Sequence, residues 1–196
     1  MSTSTRPGTA TDLALVAVFA ALIAAFSLTP AIPVGAAGVP ITLQTLAVVL
    51  AGLVLGPWRG FLATLLYLAV GFAGLPVFAG GAAGLAVLAK PSVGYLLAFP
   101  VGALVAGALA KLFVGRTGAT QYLGFFLAGL AGSLVIHAAG VVGLMVVAHL
   151  PFATAFLTDL AYWPGDLAKM FAAAAVAVAV HKAFPALLAA RRLATA

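Results

Sequence analysis

Apolar residues fill this chain in six long runs, and polar residues fall in the gaps between them. The first run extends from about Asp12 to Leu28 and stops before Pro30. The second covers Ile41 to Leu55 and ends at GPWRG, and the third covers Gly60 to Phe72. The fourth runs from near Tyr95 to Phe113, the fifth from Gln121 to His149, and the sixth from Pro164 to Phe184. Proline, glycine and short polar clusters make the breaks, as expected of connections between helices. A helical crossing of ~30 Å of hydrocarbon takes about 20 apolar residues. The runs therefore predict an all-α membrane protein of six transmembrane helices, one integral membrane domain over 1–196. A short polar tail, 1–11, precedes the first helix, which has no small-residue cleavage site of the kind that marks a removable signal peptide.

Composition sharpens this picture. Hydrophobic residues make up 65% of the chain and charged residues 6%, whereas a soluble domain is about a quarter charged. No soluble module is expected. Cysteine is absent, which excludes disulfides and thiolate chemistry. The net charge of +6 comes from basic residues standing singly at the ends of apolar runs. That pattern lacks the stripe of a nucleic-acid surface and suits membrane topology. Lysine and arginine near span ends resist translocation. With the N-terminus inside, Arg6, Arg59, Lys111, Arg116, Lys182, Arg191 and Arg192 all fall on the cytoplasmic side with Asp12. Lys90, Lys169, Asp159 and Asp166 fall outside and cancel. The whole net charge is then cytoplasmic, and both termini are expected there.

Against this background a few polar side chains stand out. YWPGDLAKM places Asp166 and Lys169 three positions apart at the outer start of the sixth run, so both lie on one helix face. They read either as a helix-start aspartate favoured by the macrodipole with a snorkelling lysine, or as a pair facing a polar ligand between helices. The glycine-rich stretch GFAGLPVFAGGAAGLAVLAKPSVGYLLAF, residues 71 to 99, stays apolar where a solvated loop would be polar. It reads as an interfacial loop or as a lid over a pocket, with Phe78 against an apolar group and Lys90 as a second cation. Gln44 lies inside the second run, as glue between helices or as a pocket residue. Ala17, Ala21 and Ala25 form a small-residue strip on the first helix, open to close approach by an internal helix or another subunit. Ser133 and His137 are four apart on the fifth helix. A hydrolase would need a base and an oxyanion site in shared geometry, so a histidine bonded within the bundle is the favoured reading. His149 and His181 near span ends suggest no metal site, and no phosphate-binding loop of the Walker type is present.

VPITLQTLAVVLAG, GLPVFAGGAAG, PSVGYLLAF and PGDLAKM, in this order, resemble the BioY biotin transporters. These are the substrate-binding S components of energy-coupling factor (ECF) transporters, and the resemblance extends from about Leu13 to Phe184. It implies a six-helix S-component bundle in a prokaryotic cytoplasmic membrane, with both termini inside. It implies biotin uptake from an outer pocket beneath the loop between helices three and four, here 73–94. No cofactor is implied, biotin being the transported ligand. The implied partners are a membrane T component and two cytoplasmic ATPases, with a homo-oligomer left open. Asp166 and Lys169 match the family's aspartate and lysine of the sixth helix. The resemblance assigns Asp166 to the ureido N–H groups and Lys169 to the ureido oxygen or to balancing Asp166. Phe78 and Tyr95 would enclose the rings, Gln44 would join the site, and Lys90 would meet the biotin carboxylate. Ala17, Ala21 and Ala25 match the strip that faces the T component. The chain departs from the family pattern at PSVGY, where PTGGY is common, and at Lys90, where glycine often precedes that proline. An intramembrane enzyme built on Ser133 and His137, an S component for another vitamin and an accessory membrane protein are the alternatives.

Overall fold

The computed structural model describes residues 9–32 and 39–184. Arg6, Arg191, Arg192 and most of the predicted tail 1–11 lie outside the described residues. Seven α-helices occur among those described: α1 Thr9–Ser27, α2 Gln44–Leu55, α3 Pro57–Phe72, α4 Val93–Ala110, α5 Gly118–Val147, α6 Phe152–Leu160 and α7 Trp163–Ala183. The six apolar runs correspond to α1 to α5 and α7. The short helix α6, in the connection between the fifth and sixth runs, is an addition to the sequence-based expectation.

Four helices, α1, α4, α5 and α7, are long and apolar enough to cross a membrane. With a rise of about 1.5 Å per residue, α2 is only ~18 Å long. Its position accounts for this. Nearly every residue from Ala47 to Leu55 is buried, so α2 is apolar all round because protein surrounds it. It packs against α1, α3, α4, α5 and α7. Close approach depends on small residues: a side chain at Gly52 would overlap the Ala103 carbonyl of α4, and one at Gly60 of α3 would overlap Gly52 itself. Between α2 and α3, Gly56 takes a φ of 83°, a conformation that glycine adopts without steric cost. Pro57 then occupies the first turn of α3, where its missing N–H costs nothing. Close by, Arg59 pairs with Asp12 of α1 at 2.5 Å, tying together two helix starts that the charge pattern had placed on one side.

The segment from 73 to 92 links α3 to α4 through two short 3-10 turns, Ala79–Gly81 and Leu85–Ala89. It is pinned to the bundle from below. Phe78 is buried and meets Tyr67 and Phe72 edge-on, at centroid distances of 5.5 and 5.2 Å. The ring fills the space left by Gly71, where any Cβ would overlap it. The Val77 carbonyl accepts from the Tyr67 hydroxyl at 3.1 Å and from the Ser27 hydroxyl. The Gly84 N–H donates to the Gly71 carbonyl at 2.8 Å.

Candidate functional site

A group of buried polar residues converges where α2, α4 and α7 begin. Asp166 lies in the first turn of α7 and is buried, as is Lys169 one turn on. The lysine does not snorkel away. Its Nζ donates to Asp166 Oδ1 at 2.8 Å and to Thr45 Oγ1 of α2 at 3.2 Å. The Thr45 hydroxyl in turn donates to the same Asp166 oxygen at 2.7 Å. Burying a charge in a membrane bundle is costly unless it is paired, and this three-way contact supplies the pairing.

The network continues through α5. His137 places Nε2 3.2 Å from Asp166 Oδ2 and Nδ1 2.7 Å from Asp159 Oδ1. Asp159 also accepts from the Tyr95 hydroxyl of α4 at 2.8 Å and from Trp163 Nε1 at 3.0 Å. The Trp163 indole stacks on the imidazole, with centroids 4.7 Å apart and planes 24° apart. Both ring nitrogens of His137 are thus turned to carboxylates. With Nδ1 bonded to Asp159 and Nε2 set beside Asp166, the ring is turned toward carboxylates rather than toward Ser133, which argues against a Ser133–His137 hydrolase.

All six candidate ligand residues, Asp166, Lys169, Lys90, Phe78, Tyr95 and Gln44, line one pocket. Phe78 roofs it from the 73–92 segment, and Lys90 reaches it from the exposed end of that segment. Ile41, Leu96, Phe99 and Ile136 make much of the wall apolar. Gln44 is buried, and its amide N–H donates to the Tyr67 hydroxyl at 2.7 Å. It thereby joins the pocket wall to the contacts that hold Val77. Such a cavity, apolar with a few convergent polar groups, is the usual form of a small-molecule site. A carboxylate, an ammonium, an imidazole and the hydroxyls of Thr45, Tyr95 and Tyr162 can between them accept from N–H donors and donate to oxygens.

Ala17, Ala21 and Ala25 lie apart from the pocket. They are exposed on α1, whose buried residues are Ala20, Ile23 and Ser27. Sequence reasoning missed Thr45, His137 and Tyr162 as pocket residues, and Asp159 behind them. A second hydroxyl beside Gln44 was the signal for Thr45. Tyr162 sits in the quoted YWPGDLAKM stretch and donates to the Val39 carbonyl at 3.1 Å.

Comparison with known proteins bears on this arrangement. A match to the BioY family covers residues 1–186. The chain is 44% identical to the biotin transporter BioY of Rhizobium etli over 177 residues, 89% of this chain and 95% of that one. It is 38% identical to the biotin transporter BioY of Rhodobacter capsulatus, covering 92% of this chain and 98% of the relative. Among solved structures, the S-component for biotin from an ECF-type ABC transporter superimposes with a TM-score of 0.83 at 29% identity. That match covers 91% of this chain and 94% of the other.

Proposed function

The chain belongs to the BioY family, and from that premise we propose that it is a biotin-uptake protein whose pocket between α2, α4, α5 and α7 binds the vitamin. The observation that carries the reading is the buried Asp166–Lys169 pair lining a largely apolar cavity, in a chain that resembles named biotin transporters along most of its length. Biotin has a ureido ring with two N–H donors and a carbonyl, an apolar thioether ring and a carboxylated tail. Asp166 accepts from a ureido N–H. Lys169 donates to the ureido oxygen while balancing Asp166. Phe78, Tyr95 and the surrounding aliphatic wall enclose the rings, and Gln44 orders the wall beside them. Lys90, the exposed cation at the rim, meets the tail carboxylate.

The wider reading is a six-span S component in the cytoplasmic membrane, with α2 and α3 counted among the spans and both termini inside. The pocket then opens outward beneath the 73–92 segment. The charge distribution supports this, as does the pairing of Asp12 with Arg59 at the opposite end of α2. The exposed strip of Ala17, Ala21 and Ala25 suits close packing by a membrane T component. Two ATPases would act through that component, because the chain has no nucleotide-binding loop of its own.

Titration calorimetry of biotin into the detergent-purified chain tests the reading. Tight, near-stoichiometric binding is expected. Asp166→Asn should weaken it by about 1–3 kcal/mol, the cost of leaving a buried partner poorly satisfied. A folded parent that does not bind biotin, or a variant that binds as well as the parent, overturns the assignment.

A further inference from the structure

We propose that His137 is a positioning residue of the binding site, held as an imidazolium between Asp159 and Asp166, with Asp159 as its counter-charge. For the identity of the ligand, this inference rests on the biotin reading. Its geometric basis does not.

Each ring nitrogen of His137 faces a carboxylate oxygen, Nδ1 at 2.7 Å from Asp159 and Nε2 at 3.2 Å from Asp166. A neutral imidazole has one N–H and presents a lone pair from its other nitrogen. In a neutral ring with the proton on Nδ1, the Nε2 lone pair would lie 3.2 Å from a carboxylate oxygen; with the proton on Nε2, a lone pair would face Asp159 at 2.7 Å, in a site where all three residues are buried. An extra proton removes that repulsion, and the hydrogen bonds indicate where it resides. Asp166 Oδ1 receives the Thr45 hydroxyl and the Lys169 ammonium. Asp159 receives the Tyr95 hydroxyl and the Trp163 indole N–H. The Lys169 ammonium and the Trp163 indole N–H can only donate, so both carboxyl groups act as acceptors here. The proton belongs on the ring.

Charge balance agrees. The charged and titratable groups around the imidazole are Asp159 from α6, Asp166 and Lys169 from α7, Tyr95 from α4, and Tyr162 from the α6–α7 junction. From α2 come only the uncharged Gln44 and Thr45, and Lys90 stands at the pocket rim. Asp159, Asp166 and Lys169 alone leave one uncompensated negative charge in the bundle interior. An imidazolium cancels it, in keeping with the rule that buried charges are paired.

The consequence for binding lies at Asp166 Oδ2. His137 approaches this oxygen as an ion pair without aligned hydrogen-bond geometry, so the oxygen keeps acceptor capacity for a ligand N–H. The positive ring beneath it fixes the plane of the carboxylate. Asp159 lies outside the pocket lining and acts only through His137.

Nitrogen-15 NMR of histidine-labelled full-length protein in detergent reads the ring directly, without ligand, with His137→Gln assigning the signal. At neutral pH both His137 nitrogens should carry protons. In Asp159→Asn the ring should be neutral at the same pH. A neutral ring in the parent overturns the proposal, and this spectrum needs no variant to fold beyond the one used for assignment. Biotin titration of the same samples reads the positioning role. Folded Asp159→Asn should bind about tenfold more weakly, the order expected for a disturbed charged hydrogen bond, and unchanged affinity overturns that role. A parent that binds no biotin defeats the ligand reading, while its spectrum still decides the proton.

Discussion

Asp166 and Gly71 show two ways in which a single residue shapes this pocket, one by chemistry and one by absence. Asp166 persists in an apolar chain because a lysine, a threonine and a histidine surround it. Gly71 persists because the ring of Phe78 occupies the volume where a side chain would stand. Adding one methyl group by Gly71→Ala should therefore dislodge the ring that roofs the cavity. Overpacking of this kind costs about 1–3 kcal/mol. A lower thermal midpoint in detergent, together with weaker biotin binding, is the expected result; a variant with parental values for both would show that the roof adapts freely. At this scale the sequence was partly legible. A spacing of three on a helix sets Asp166 and Lys169 on one face. His137 and Asp159 are 22 positions apart on different helices, and no spacing rule connects them, so their contact appears only in the folded chain.

Among the elements, α6 is the one that the apolar runs did not announce. It has nine residues, begins after Pro151 and sits between two long helices, where a connecting loop was expected. Its task in the fold is to bury Ala155 and Asp159 while Phe152, Phe156 and Leu157 face outward. Hydropathy reports the outward face and says nothing about the one inward carboxylate. Phe156→Pro should interrupt this helix, since an interior proline removes a hydrogen bond and costs ~3 kcal/mol. Because Phe156 is exposed and is not among the pocket-lining residues, weakened biotin binding in a folded variant would show that α6 serves to place Asp159. Retained affinity would make α6 dispensable. The helix α2 offers the opposite lesson. Its existence was plain from VPITLQTLAVVLAG, but its central, protein-surrounded position was not, because a run that is apolar all round reads alike in lipid and in a core.

At the scale of the whole molecule, the lack of cysteine makes topology directly measurable. Ala89 lies in the exposed part of the 73–92 segment and Thr117 in the exposed turn between α4 and α5. In intact cells a membrane-impermeant maleimide should label Ala89→Cys and spare Thr117→Cys until the membrane is opened. Equal labelling of both would break the six-span reading. The charge asymmetry had suggested this orientation from sequence because insertion responds to the number of lysines and arginines near span ends, a property that survives without any knowledge of packing.

The stacked pair of Trp163 and His137 also has an optical side. The chain has two tryptophans. Trp58 stands at the start of α3 and is 67% exposed, beyond the opposite end of α2 from the pocket. Trp163 stacks on the His137 imidazole with the planes 24° apart. A protonated imidazole quenches indole emission more strongly than a neutral one. With Trp58 replaced by phenylalanine, the remaining glow would come from one lamp set against the His137 ring at the edge of the binding site, dimmed when that ring carries its second proton.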